Sequence, residues 1–259
     1  MNSAERQSKL WGAEARDWAE LTEPDNIPVW RAMLDSAGVG AGTRFLDIGC
    51  GGGGASVLAA ARRATVAGVD PAPELIEIAS ERVPTGDFRR GDMEALPFPD
   101  GSQDVVFASL SIMFAASLLN ALRDMKRVAV PGGKVTVSIF GQAEDCEYRY
   151  VLQAIGKLMP APPSGGGLFA LSGPGVLEGH LEDAGLSVVD SGEVDAPFHY
   201  DGPEHLWRKV RSAGPPQAAI AIAGEVTVRE AVLLAAKPFR SVQGDYLMRN
   251  RFRFVTASA

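Results

Sequence analysis

Residues 43–140 alternate short β-rich runs with helical stretches. In order these are "RFLDIG", "ASVLAAARR", "ATVAGVD", "PELIEIASERV", "DFRRGD", "QDVVFASL", a helix over Leu118–Val128 and "GKVTVSIF". Strands that alternate with helices through short loops pair in parallel, with helices covering both faces of the sheet. That rhythm predicts an α/β, doubly wound, mostly parallel sheet.

The flanks read differently. Residues 5–20 carry Leu10, Trp11 and Trp18 among alternating charges, the pattern of an amphipathic helix. "LTEPDNIPVW" breaks it with two prolines, and a second helix is expected over 27–37. Beyond Phe140, "EYRYVLQAIGKLM" reads as a helix and "PAPPSGGG" as an irregular loop of the kind that closes over or lines a site. "GPGVLEGHLEDAGL" reads as a helix and "SVVDSGEVDA" as a strand, with helical segments near 203–213 and 225–236. "DYLMRNRFRFVTA" is expected as one closing strand with Arg249, Arg251 and Arg253 on one face.

The stretch "RFLDIGCGGGGAS" contains Gly49-x-Gly51-x-x-Gly54, which satisfies the dinucleotide signature as a bare pattern. Such glycines let a backbone approach a ligand at the carboxyl edge of the sheet, and the next helix points N–H groups at it. Asp70 ends the second strand 21 residues after Gly49, where a carboxylate can accept hydrogen bonds from ribose hydroxyls. NAD and S-adenosylmethionine both carry a ribose, so up to this point either would fit.

The order of later segments separates them. "FLDIGCGGG", with Asp47 two positions before the first glycine, resembles the first motif of class I S-adenosylmethionine-dependent methyltransferases, and "GVDPAPELIEIA" resembles the second. "GDMEALPFPDGSQDVV" and "LRDMKRVAVPGGKVTVSIF" resemble two further segments of the methyltransferase-11 type, the ubiquinone/menaquinone-biosynthesis-methyltransferase-like group. The likeness is close over residues 40–140. It implies a Rossmann-like seven-stranded sheet with an antiparallel last strand, preceded by a helical lid over residues 1–40. The domain would then run over 41–259, with 141–240 supplying substrate-side insertions. It also implies S-adenosylmethionine as cofactor, held by Asp47, Gly49, Cys50, Gly51, Asp70, Pro71, Asp92, Met93 and Ser109. Within that set, Asp70 would meet the ribose, Asp92 the adenine amino group and the loop amides the cofactor's carboxylate.

A sulfonium carries an activated methyl, so holding donor and acceptor in line supplies roughly 7–11 kcal/mol of the barrier without a base. His199 and Tyr200 are the candidates if the acceptor must lose a proton, because they follow a strand near the converging substrate loops. No metal is required. Trp11, Met113, Phe114, Phe140 and Phe169 are candidate walls of an apolar acceptor pocket.

Composition narrows the partners. A formal charge of −7 with no basic stripe argues against nucleic acid and for a small-molecule methyl acceptor. Two cysteines and a charged N-terminus without an apolar h-region suggest the cytoplasm, and no stretch approaches the about 20 apolar residues of a membrane span. The extra helices could instead form a homodimer surface. Two other functions remain to be separated: a protein that uses the same cofactor without methylating, and an NAD(P)-dependent oxidoreductase.

Overall fold

The computed structural model of the chain describes residues 3–160 and 164–259. Its strands are β1 (Arg44–Ile48), β2 (Thr65–Asp70), β3 (Asp87–Arg90), β4 (Gln103–Ser109), β5 (Ala129–Phe140), β6 (Ser187–Asp195), β7 (Phe198–Tyr200), β8 (Tyr246–Met248) and β9 (Arg251–Ser258). Seven of them form one sheet in the order β3-β2-β1-β4-β5-β9-β6. The first five are mutually parallel, and β9 runs antiparallel to both of its neighbours. The expected seven-stranded sheet with its reversed last strand is therefore present.

The helices are α1 (Ser3–Gly12), α2 (Ala15–Asp17), α3 (Ile27–Ser36), α4 (Gly54–Ala61), α5 (Pro73–Arg82), α6 (Leu118–Val128), α7 (Arg149–Gly156), α8 (Val176–Asp183), α9 (Pro203–Arg211), α10 (Gly214–Ala223) and α11 (Glu225–Ala236). Alternate residues of each strand feed two cores. Phe45 and Phe107 join Trp30, Met33, Leu34 and Ala59 on one face, whereas Leu46, Ile48, Val106 and Val137 join Leu122, Met125, Leu177 and Leu181 on the other. Helix α6 shows how local sequence sets this packing. Ser117 caps it by accepting from Asn120 N–H at 3.3 Å, and Ala121, Leu122, Met125 and Val128 form the buried stripe. Each such fully buried leucine contributes about 1.5–3 kcal/mol of transfer free energy.

Four expectations change. The helix expected over 5–20 is interrupted after Gly12, and the chain proceeds through α2 and a wide turn, Trp18–Thr22, into a tight 3-10 turn, Glu23–Asn26. The closing strand is also interrupted, because Asn250 turns inward. Its side chain accepts from Tyr148 N–H at 3.0 Å and donates to the Met248 carbonyl at 3.1 Å, so β8 pairs with β7 and Arg249 leaves the Arg251/Arg253 face. Helix α10 went unforeseen because Pro215 and Pro216 look like breakers, yet they occupy its first turn, where a missing N–H costs nothing. Of the loop read in "PAPPSGGG", residues 161–163 lie outside the described residues, and Ser164–Phe169 forms a 3-10 turn.

Helices α7, α9, α10 and α11 cluster beyond the carboxyl edge of the sheet, and α1 bridges them by packing on both α10 and α5. Among the described residues, no helix is long and apolar enough to cross a membrane.

Candidate active site

The carboxyl ends of β1, β2 and β4 open into a cleft of about 890 Å³, its mouth included. Asp47, Gly49, Cys50, Gly51, Asp70, Pro71, Asp92, Met93 and Ser109 all line it, so the nine positions named from sequence converge on one space. Parallel register explains this: Ile48 lies opposite Val69, and Asp47 opposite Phe107, so the strand ends are level.

Asp70 is held by two backbone donors, Gly51 N–H at 3.0 Å and Ala72 N–H at 2.9 Å, one on each oxygen. Asp47 accepts from the Ser56 hydroxyl at 2.9 Å. Asp92 accepts from Glu94 N–H at 3.0 Å, and its loop is tied down from α6: Leu96 N–H donates to Asp124 at 2.6 Å, while Arg127 donates to the Leu96 and Phe98 carbonyls. Ser109 accepts from the Trp30 indole N–H at 3.0 Å. Cys50 is buried, and burial pushes its thiol far up, so it packs as a small apolar group and is no nucleophile.

The glycine loop does something that its motif does not reveal. The five amides from Gly49 to Gly53 all donate within the protein: Gly49 and Cys50 to the Val69 carbonyl, Gly51 to Asp70, Gly52 to Glu23 at 2.6 Å, and Gly53 to the Cys50 carbonyl. The expectation that these amides face a ligand carboxylate is therefore not met in this conformation. Much of the room left by the missing side chains is used by the N-terminal segment. A Cβ on Gly52 would sit 2.7 Å from Ala19 Cβ, and one on Gly54 would sit 2.6 Å from the Trp30 ring. Arg82 completes the clasp, donating to Glu23 at 2.6 Å, to the Gly52 carbonyl at 2.9 Å and to the Ala19 carbonyl at 2.7 Å. Glu23 and Trp30 were missed as site residues, their only signal being proximity to a proline-broken turn, whereas Trp18 stands out in the sequence with Trp11 on the amphipathic N-terminal segment but is not placed in the site by it.

The electrostatics are one-sided. Glu23, Asp47, Asp70, Asp92 and Glu94 line the cleft, and among the described residues no lysine, arginine or histidine does. Burial pushes the carboxyls up, to about 7 for Glu23 and Asp47 and about 6 for Asp70. Repulsion from Glu23 and Asp70 adds to the burial of Asp47, and Arg82 opposes that of Glu23. A cation placed here would relieve the cost of these charges. Among the described residues, no group of three or more His, Cys, Asp or Glu side chains has the arrangement to hold a metal ion.

A second cavity of about 680 Å³, its mouth included, shares Trp11, Trp18, Asn26, Leu110 and Phe114 with the first. Leu110 holds a left-handed backbone, φ 53°, at this common wall. Trp11 stacks edge-on against Trp18 at 4.7 Å and Phe114 at 5.4 Å. Of the residues named as candidate walls of an acceptor pocket, Met113, Phe114, Phe140 and Trp11 line the second cavity. Phe169 instead packs on Phe140 at 5.4 Å, and its neighbour Leu168 reaches the cavity.

The two candidate bases separate. His199 is half-exposed, lies against Asp245 at 3.3 Å and Asp201 at 3.5 Å, and borders neither space. Tyr200 lines the second cavity, but burial pushes its hydroxyl well above the usual tyrosine range, so at neutral pH it can donate a hydrogen bond and cannot take a proton. Two charged residues unforeseen from sequence are present instead: Lys209 and Asp25, paired at 2.6 Å and both largely buried. Burial pushes the Asp25 carboxyl up against the pull of Lys209.

Residues 46–137 match the methyltransferase-domain family of the methyltransferase-11 type. An uncharacterised protein of Mycobacterium tuberculosis is 34% identical over 125 residues, covering 47% of this chain and 46% of that protein. A malonyl-[acyl-carrier protein] O-methyltransferase of Erwinia pyrifoliae is 34% identical over 128 residues, or 49% of each chain. The chain thus spans about half the length of the curated relatives it matches. Among solved structures, the [4+2]-cyclase SpnF shares the fold at a TM-score of 0.58 and 20% identity, with 89% of this chain and 79% of that one covered.

Proposed function

We propose that this chain, whose residues 46–137 are a class I methyltransferase domain of the methyltransferase-11 type, transfers a methyl group from S-adenosylmethionine to a small organic acceptor. The observation that carries this is the first cleft: five carboxylates line it, only Glu23 has a cationic partner (Arg82, which does not itself line the cleft), and no lysine, arginine or histidine among the described residues lines it. A pyrophosphate would meet Glu23, Asp47 and Asp70 at close range, which is electrostatically unfavourable. S-adenosylmethionine brings a sulfonium and an ammonium, and the acidic wall suits both.

When bound, S-adenosylmethionine supplies a methyl already activated for in-line attack. The protein's part is placement. Asp70, fixed by Gly51 and Ala72, keeps lone pairs free for ribose hydroxyls, and Asp92 is pinned at the far end by its own turn. Helix α1 contributes Ser3, Ala4, Gln7 and Trp11 to the wall of the cleft, where it can act as a lid that excludes water. The second cavity adjoins the first through Trp18, Leu110 and Phe114 and is the natural seat of the acceptor. Orientation between the two supplies most of the catalysis. Acidic composition favours a small-molecule acceptor over nucleic acid.

Transfer itself is tested by incubating the protein with methyl-labelled S-adenosylmethionine and a small-molecule bacterial extract. Label should pass to an organic-soluble product. Cofactor binding with all label left on the cofactor would favour the non-methylating reading, and a cyclase built on this fold makes that arm worth running.

A further inference from the structure

The second cavity is apolar except at one end, where the 3-10 turn Glu23–Asn26 meets α9. That turn serves both spaces: Glu23 and Asn26 line the first, Asp25 and Asn26 the second. The charge there is already balanced. Lys209 gives one hydrogen bond to Asp25 at 2.6 Å and another to the His199 carbonyl at 3.2 Å, and its ammonium lies 5.0 Å above the Tyr200 ring. It is 5% exposed and is the only lysine or arginine on the described wall, so no free cation is left for an anionic ligand.

What remains unpaired can accept a hydrogen bond. Lys209 occupies Asp25 Oδ2, whereas Asp25 Oδ1 takes part in no hydrogen bond among the described residues. Asn26 is 5% exposed and lines both spaces, and its side-chain amide is likewise unpaired among the described residues. Neither group is sealed in: among the described residues the one buried side-chain nitrogen or oxygen without a partner is Arg211 Nε, so the unpaired atoms of Asp25 and Asn26 are accessible and can be met by whatever fills the cavity that they line. A ligand carboxylate would meet the free oxygen of Asp25 as like charge facing like charge, with the one nearby cation already engaged. A neutral hydroxyl would give Asp25 the proton that its oxygen lacks.

We propose that the second cavity binds a neutral, apolar acceptor through a hydroxyl donated to Asp25 and steadied by Asn26, and that it rejects carboxylates. This rests on the methyl-transfer reading for the word acceptor alone; the recognition of neutral hydroxyl over anion does not depend on it. It sets this chain apart from what the name of the malonyl-[acyl-carrier protein] relative would suggest.

Three probes with one carbon frame test the proposal by calorimetric titration of the whole chain without cofactor: 4-phenylphenol, biphenyl and biphenyl-4-carboxylate. The phenol should bind about tenfold more tightly than biphenyl, the worth of one hydrogen bond to a buried charged acceptor, and the carboxylate should bind least. Asp25→Asn replaces the free oxygen with an N–H donor while keeping a partner for Lys209, and it should erase the preference for the phenol. Asn26→Leu should weaken the phenol and spare biphenyl. Equal binding of phenol and biphenyl, or tighter binding of the carboxylate, would overturn the proposal without recourse to any variant. Titration of the same preparations with S-adenosylhomocysteine separates the two readings: loss of that binding counts against the proposed function, and loss of the probe ranking counts against this inference.

Discussion

The two spaces that meet at Trp11, Trp18, Asn26, Leu110 and Phe114 are opposites in chemistry and in construction. The first is acidic, and most of its wall comes from strand ends and the turns that follow them, all within residues 46–115 apart from the N-terminal contributions. The second is aromatic and assembled from segments scattered from Trp11 to Pro216, with an ion pair joining Asp25 to Lys209 from opposite ends of the chain. A site made of strand-end turns is fixed by the sheet's own register. A site made of side chains from separate helices depends on how those helices pack, and its residues are free to differ while the fold persists.

That contrast can be broken first at its ion pair. Lys209→Met leaves Asp25 buried without its partner, and chemical denaturation should show a loss of about 3–5 kcal/mol, with most of it recovered in the double variant Lys209→Met/Asp25→Leu. Failure of the second change to recover stability would mean that the pair is not the unit described. Next comes Asp70→Ala, which removes the carboxylate that both Gly51 and Ala72 address. Affinity for S-adenosylmethionine should fall on the order of 100-fold, while 4-phenylphenol binding in the second cavity stays within about twofold. An equal loss at both sites would merge the two spaces into one.

Smaller effects sharpen the join between them. Gly52→Ala puts a methyl 2.7 Å from Ala19 Cβ and should cost about 1–3 kcal/mol in thermal or denaturant unfolding, since the N-terminal segment must back away from the loop. A gentler probe is pH. The folded carboxyls of Glu23, Asp47 and Asp70 lie above their ordinary values, so the native state binds protons more tightly than the unfolded chain. Their contribution to stability is complete below about pH 4 and is lost as pH rises through about 6 to 7. A cationic ligand opposes that loss. The preference for S-adenosylmethionine over its sulfur-neutral product should therefore grow between pH 6 and pH 8 in calorimetric titrations; a flat ratio would show that the acids do not feel the sulfonium.

The same contrast explains what was legible in the sequence. Strand and helix order could be read because it depends on neighbours in sequence; the antiparallel last strand came from the family resemblance, and the positions from Asp47 to Ser109 named with it do line one cleft. The glycine pattern was recognised, but part of its use was hidden. Gly52 and Gly54 also make room for Ala19 and Trp30, and the Gly52 amide is taken by Glu23, contacts between residues 24 to 33 positions apart. Asp25 and Lys209 could not be found from spacing at all, since 184 residues separate them and neither sits in a motif. His199 drew notice as a titratable residue near converging loops, yet β7 turns its ring toward Asp245, away from both cavities. In a strand of three residues, which side chain faces in is decided by the partner strand β8, whose existence hangs on the inward turn at Asn250.

The most direct measurement is a pair of calorimetric titrations of the unmodified chain at pH 7.5, one with S-adenosylmethionine and one with NADH. The expected result is saturable binding of the sulfonium cofactor and no measurable heat from the dinucleotide, whose phosphates would face Glu23, Asp47 and Asp70. Binding of NADH with none of S-adenosylmethionine would contradict the assignment of the acidic cleft to a cationic methyl donor.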